Sequence, residues 1–160
     1  MGARRPPAPG SAELAAIYTE LDALYANASC LNSTRCCQLR RYGHVPLVFE
    51  VEGRRAIAGV MRRGGRLPLE GEIGDCPLLL RSGACSVYAD RPFGCRTFYC
   101  ADATLPDGPR RAEVQALAMQ LRALAERLGD SDLRPLTNVL DDAFDDDGKA
   151  KFSKARRRTT

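Results

Sequence analysis

Histidine is almost absent from this 160-residue chain, with His44 the single example, and no stretch reaches the roughly 18 to 20 consecutive apolar residues that span a bilayer. A metal site built mainly from imidazoles and a membrane partner are therefore not expected. The first ten residues also lack the apolar core of a secretory signal, since Arg4 and Arg5 are followed by Pro6, Pro7 and Pro9. A reducing, cytoplasmic setting is the expectation. Missing too are a glycine-rich nucleotide loop, an internal repeat, and an acid and base paired outside the cysteine-bearing region. Those absences argue against an enzyme, and no catalytic residue is assigned.

What the chain does have is sulfur: seven cysteines, Cys30, Cys36, Cys37, Cys76, Cys85, Cys95 and Cys100. An odd number cannot be consumed by disulfides within one chain, and a reducing compartment disfavours them further. Metal binding is the stronger reading. The order is Cys30-x5-Cys36-Cys37, then after 38 residues Cys76-x8-Cys85-x9-Cys95-x4-Cys100. This matches neither paired C-x2-C zinc knuckles nor the C-x2-C-x2-C run of ferredoxins, so the spacing does not name the metal. Thiolates are soft ligands suited to zinc, copper(I) and iron–sulfur clusters. Adjacent Cys36 and Cys37 are expected to diverge, so that both need not reach one ion. His44, seven residues after Cys37, is read as an ordinary loop or core residue, with a ligand role as the other reading.

The net charge of +4 is set by the last segment, where Lys149, Lys151, Lys154, Arg156, Arg157 and Arg158 occur without an acid. Following the acidic run Asp141, Asp142, Asp145, Asp146 and Asp147, it reads as a solvated terminus, and no nucleic-acid partner is expected. The length suits one domain. The expected organisation is a flexible start at 1–10, a single cysteine-cluster domain at 11–146, and a basic, disordered tail at 147–160.

Apolar residues at Leu14, Ile17, Tyr18, Leu21, Leu24 and Tyr25 predict a helix from Ser11 to about Ser29. Val45 to Val51 is strand-prone, whereas Val48 to Met61 fits equally a helix broken near Gly53 and Gly59. Cys76 to Tyr88 forms two short apolar runs around Arg81-Ser82-Gly83, a hairpin signal. Beyond Cys100, Asp107-Gly108-Pro109 offers a helix start for the stripe Val114, Leu117, Leu121, Leu124 and Leu128, closed by Gly129. A last helix from Ser131-Asp132 carries Leu133, Leu136, Val139, Leu140 and Phe144. The fold class expected is α+β, mainly α: a cysteine-rich core with a short hairpin, flanked by one N-terminal and two C-terminal helices.

Cys76-Pro77-Leu78-Leu79, Cys85-Ser86-Val87-Tyr88, Arg91-Pro92 and Cys95-Arg96-Thr97-Phe98-Tyr99-Cys100, preceded by Cys36-Cys37, resemble the YkgJ-like cysteine-cluster family. That family is described as a zinc- or iron-chelating domain, and it is similar to the cysteine-rich part of flagellin lysine-N-methylase. The resemblance spans Cys30 to Cys100 and implies that all seven cysteines are candidate ligands, with Cys36, Cys37, Cys85 and Cys95 the preferred four. The family's first motif runs C-x2-C-x2-C-C, whereas Ser33 stands at the second position here. A hydroxyl is a poor substitute for a thiolate, so one sulfur fewer is expected.

Four thiolates around a [4Fe–4S] or zinc centre leave net negative charge, which N–H donors and cations must offset. Arg91 and Arg96 are candidates for this supporting role; the competing reading makes them surface ion pairs, such as Arg91 with Asp90. Tyr88 and Pro92 are expected to shape the loop. Adjacent and surplus thiols favour an iron–sulfur cluster over a single zinc ion, in a structural, sensing or metal-carrying role. The alternatives are an enzyme or accessory of methyltransferase or redox type, and a disulfide-stabilised interaction domain.

Overall fold

The computed structural model describes residues 7–29, 35–99, 104–105 and 108–151. The expected class holds: the described chain is mainly α-helical, with one small antiparallel strand pair. Helix α1, Ser11–Leu24, buries Leu14, Ile17, Tyr18 and Leu21 along one face, which is the predicted stripe, but it stops five residues before Ser29. Helix α2 is a single turn, Leu39–Tyr42, ended by Gly43 in the left-handed conformation at φ 64°. Strand β1, Leu47–Val48, then leads into helix α3, Glu50–Arg62.

The predicted break in α3 does not occur. Gly53 and Gly59 are places where other elements come close: a Cβ on Gly53 would stand 2.6 Å from Cγ1 of Val139, and one on Gly59 would stand 3.0 Å from Cγ1 of Val87. Their missing side chains serve packing between elements instead of ending the helix. Helix α4, Phe93–Thr97, is short and follows a 3₁₀ turn at Tyr88–Asp90. Helix α5, Arg111–Arg127, buries Leu117, Leu121 and Leu124, and Gly129 follows it at φ 77°. Strand β2, Arg134–Pro135, pairs antiparallel with β1, Leu47 opposite Pro135 and Val48 opposite Arg134. Helix α6, Leu136–Ala143, follows at once. Its start lies later than Ser131 because Pro135 has no N–H for the helix ladder and restricts the residue before it.

The predicted hairpin between Cys76 and Tyr88 exists as a tight turn whose arms touch at one bridge, Leu79 with Cys85. Ser86 N–H donates to Leu78 O at 2.8 Å and Leu80 N–H to Ala84 O at 2.9 Å, with Gly83 supplying φ 87°. Two cores result. Tyr18, Leu21, Phe49, Leu117 and Leu124 fill the contact between α1 and α5. Val48, Ala56, Val60, Leu78, Val139 and Leu140 fill the space between α3 and α6, and Cys37, Cys76 and Cys85 lie against it.

The C-terminal boundary expected at Asp146 is too early. Asp145 Oδ1 accepts from the N–H groups of Asp147 (3.1 Å) and Lys149 (2.7 Å), a carboxylate-organised turn that brings the chain back onto Leu67. Gly148 O accepts from Leu67 N–H at 2.8 Å, and Lys149 and Ala150 form bridges with Arg66 and Phe144. The rest of the expected tail, 152–160, and the start, 1–6, lie outside the described residues. Among the described residues, no helix is long and apolar enough to cross a membrane.

Candidate metal centre

Three stretches of the chain bring cysteines to one cavity, the first of them 38 residues before the other two. Cys36 and Cys37 arrive just before α2, Cys76 and Cys85 flank the tight turn, and Cys95 sits on α4. All five line a cavity of about 120 Å³, together with His44, Arg91, Phe98, Tyr99, Leu39, Leu78 and Leu136 among others. The two longer stretches are tied by backbone, since Cys76 N–H donates to Cys37 O at 2.8 Å. Cys30, Cys100 and Ser33 lie outside the described residues.

The expectation that Cys36 and Cys37 diverge is not met: their sulfurs are 4.0 Å apart. Two zinc–sulfur bonds of about 2.3 Å at a tetrahedral angle place sulfurs about 3.8 Å apart, so this spacing suits two ligands on one metal atom. All five described cysteines are free thiols. Among the described residues, no group of three or more His, Cys, Asp or Glu side chains closes into a set able to hold a metal ion. The thiols thus share a cavity without the closer spacing of a finished coordination sphere. Their donor chemistry nonetheless fits a soft metal, because five cysteines and a histidine line the cavity and, among the described residues, no carboxylate does.

Burial and mutual contact raise the pKa of four of the five thiols, Cys36, Cys37, Cys85 and Cys95. The hydrogen bond with Cys37 raises the Cys36 thiol far above its ordinary range, and burial adds to this, against a smaller lowering by Arg91. For Cys37 the contact with Cys36 acts downward, but the hydrogen bond with Cys76, burial and the nearby Cys76 and Cys85 outweigh it and push the thiol up to about 12. Burial likewise raises Cys85 and Cys95, with neighbouring cysteines adding to the effect. Neutral thiols crowded this way must shed protons to take a metal.

Arg91 is where a supporting cation is expected. It lines the cavity, its charge lowers Cys36 and Cys85, and its guanidinium lies 3.7 Å from the Tyr88 ring centroid and donates to Tyr88 O at 3.2 Å. The alternative pair with Asp90 is not formed, because Asp90 binds Arg55 (3.1 Å) and Arg62 (2.5 Å). Arg96 does not share the expected role. Its buried guanidinium donates to Arg91 O at 2.8 Å, Ala89 O at 2.6 Å and Asp22 Oδ2 at 2.6 Å, and lies 4.0 Å from the Tyr18 ring centroid. It is absent from the cavity lining and fixes the loop that carries Arg91 and Cys95.

A second pin of that loop went unseen in the sequence. Glu52, 2% exposed, accepts from Tyr18 Oη (2.8 Å) and Phe93 N–H (2.8 Å) through Oε1, and from Phe49 N–H (3.0 Å) through Oε2. Burial raises its pKa above the usual carboxylate range, opposed by those three hydrogen bonds. Nothing in the chain's periodicity separates it from its half-buried neighbour Glu50; only the buried Val51, Gly53 and Ala56 around it hint at an inward helix face.

His44 also lines the cavity, its ring stacked on Phe98 at 4.3 Å and 14°. Its Nε2 is buried and has no hydrogen-bond partner, an arrangement that costs about 1 to 3 kcal/mol where a polar atom stays unsatisfied. No family model, no curated protein and no solved structure matches the chain, so its function has to be argued from its own residues.

Proposed function

We propose that the chain is a cysteine-ligated metal-binding protein of the kind its YkgJ-like motifs imply, holding an iron–sulfur cluster in a structural, sensing or metal-carrying role. One observation carries the reading: five thiols line one cavity and, among the described residues, no carboxylate joins them. Five thiols supply the four that one tetrahedral ion or one [4Fe–4S] cluster takes, with one to spare. Cys36, Cys37, Cys76, Cys85 and Cys95 would hold it, with Arg91 offsetting the negative charge of the thiolates. The bound centre would supply cross-linking of the three stretches and, if iron–sulfur, one-electron chemistry.

Zinc is the second reading, favoured by the 4.0 Å separation of the Cys36 and Cys37 sulfurs. Anaerobic purification with metal analysis and an absorption spectrum separates the two. Stoichiometric iron and sulfide with visible absorption support the cluster; a colourless protein with stoichiometric zinc replaces it by the second reading. Cys85→Ser and Cys95→Ser are expected to lower metal content and folding stability together, because structural metal binding is coupled to folding. Full metal content in both variants contradicts the ligand assignment.

A further inference from the structure

Gly43, in the left-handed conformation at φ 64°, ends α2, and His44 directly after it lines the cavity that Cys36, Cys37 and Cys95 share. Phe98 belongs to the Cys95 side of that cavity and stacks nearly parallel on the imidazole, which restricts the ring's rotation. The ring's inner nitrogen is the notable atom. Nε2 is shielded from solvent and meets no donor or acceptor among the described residues, although buried polar atoms almost always find a partner. Around it the described lining offers thiols, apolar side chains, two tyrosines and the Arg91 cation, and no carboxylate that could receive an Nε2 proton.

A neutral imidazole with its proton on Nδ1 presents a lone pair at Nε2, the form in which histidine binds zinc, iron and copper. We infer that His44 is a nitrogen ligand of the thiolate centre, bound through Nε2, so that the site is mixed sulfur and nitrogen. The inference rests on the metal-binding reading above. It assigns the chain's single histidine a specific chemistry: mixed sulfur and nitrogen ligation lowers the negative charge of the first coordination sphere by one relative to an all-thiolate set. In iron–sulfur proteins, exchange of cysteine for histidine raises the reduction potential. Phe98 is then a positioning residue, holding the imidazole plane toward the sulfurs.

X-ray absorption fine structure at the K-edge of the iron or zinc bound to the anaerobically purified full chain reads the ligand set directly. An imidazole shell beside the sulfur shell is expected, at about 2.0 to 2.1 Å against about 2.3 Å if the metal is zinc. In His44→Ala the imidazole signature should vanish, and the affinity of the reduced full chain for added Zn²⁺ should fall at least tenfold. His44→Cys should recover affinity with an all-sulfur shell. Circular dichroism of each variant verifies that it folds, and the wild-type spectrum decides the matter even if a variant does not. A metal-loaded wild type with an all-sulfur shell, or unchanged Zn²⁺ affinity in folded His44→Ala, overturns this assignment while leaving the thiolate centre standing. A protein purified free of metal and unable to bind Zn²⁺ overturns both.

Discussion

Replacing Arg96 tests whether the loop that carries Cys95 is held by one guanidinium. Arg96 is 4% exposed and makes three charge-assisted bonds, two to the carbonyls of Ala89 and Arg91 and one to Asp22, over the face of Tyr18. Hydrogen bonds to charged groups contribute about 1.5 to 3 kcal/mol each when both partners are buried. Asp22 is half exposed, so it is rehydrated when Arg96 is lost, and the three contributions do not simply add. A net cost of about 3 to 5 kcal/mol is expected for Arg96→Ala, the range for breaking a buried charged arrangement from one side. Arg96→Lys should lose about half of that, since an ammonium cannot reproduce the planar fork. Asp22→Asn should cost about 1 kcal/mol or less, because its partner keeps both carbonyls and the exposed carboxylate contributes little. Urea unfolding followed by circular dichroism, with chelator and reductant present so that metal linkage drops out, yields the three values. If Arg96→Ala is no more damaging than Asp22→Asn, the guanidinium does not organise the loop and the reasoning fails.

Glu52 supplies a pH-dependent counterpart. Its folded pKa is raised chiefly by burial, so its favourable contribution is complete below the unfolded value of about 4.3 and is lost as pH rises toward the folded value. The stability advantage of the wild type over Glu52→Gln should therefore shrink as pH rises above the unfolded carboxylate range in paired urea titrations; an advantage that grows with pH would mean that the three hydrogen bonds outweigh burial. Gly53→Ala should destabilise by about 1 to 2 kcal/mol, because the new methyl meets Val139 at 2.6 Å and overpacking exceeds the gain in helix propensity. Gly94→Ala, with no neighbour within 4 Å of the new methyl, should be neutral or better when the two variants are compared in thermal melts. Equal losses for the two glycines would contradict the close approach of α3 and α6.

Much of the frame is legible from periodicity. The stripes of α1 and α5 and the Leu136, Val139 and Leu140 face of α6 fall where helical spacing puts them, because each helix buries one face in a core. Glycine misleads in α3, since a sequence does not say whether a missing side chain ends a helix or admits a neighbour; here Val139 and Val87 are the neighbours. Convergence of the cysteines is legible as an excess of thiols, but the 4.0 Å approach of Cys36 and Cys37 depends on how the chain enters α2. The arginines show the same limit. Arg91 and Arg96 are five residues apart in one motif, yet one faces the cavity and the other is bound to α1, a division made by Asp22 and Tyr18 from 70 or more residues away.

The cavity's walls are fastened by different chemistry. The Cys95 wall hangs on Glu52 and Arg96, buried anchors that contain no sulfur and so persist whatever the thiols do. The facing Cys36-Cys37 wall is joined through a main-chain bond from Cys76 and the solvent-side pair of Arg40 with Glu72. The two sides of the cavity are thus held by different means, buried charged anchors on one and a main-chain bond with a solvent-exposed ion pair on the other.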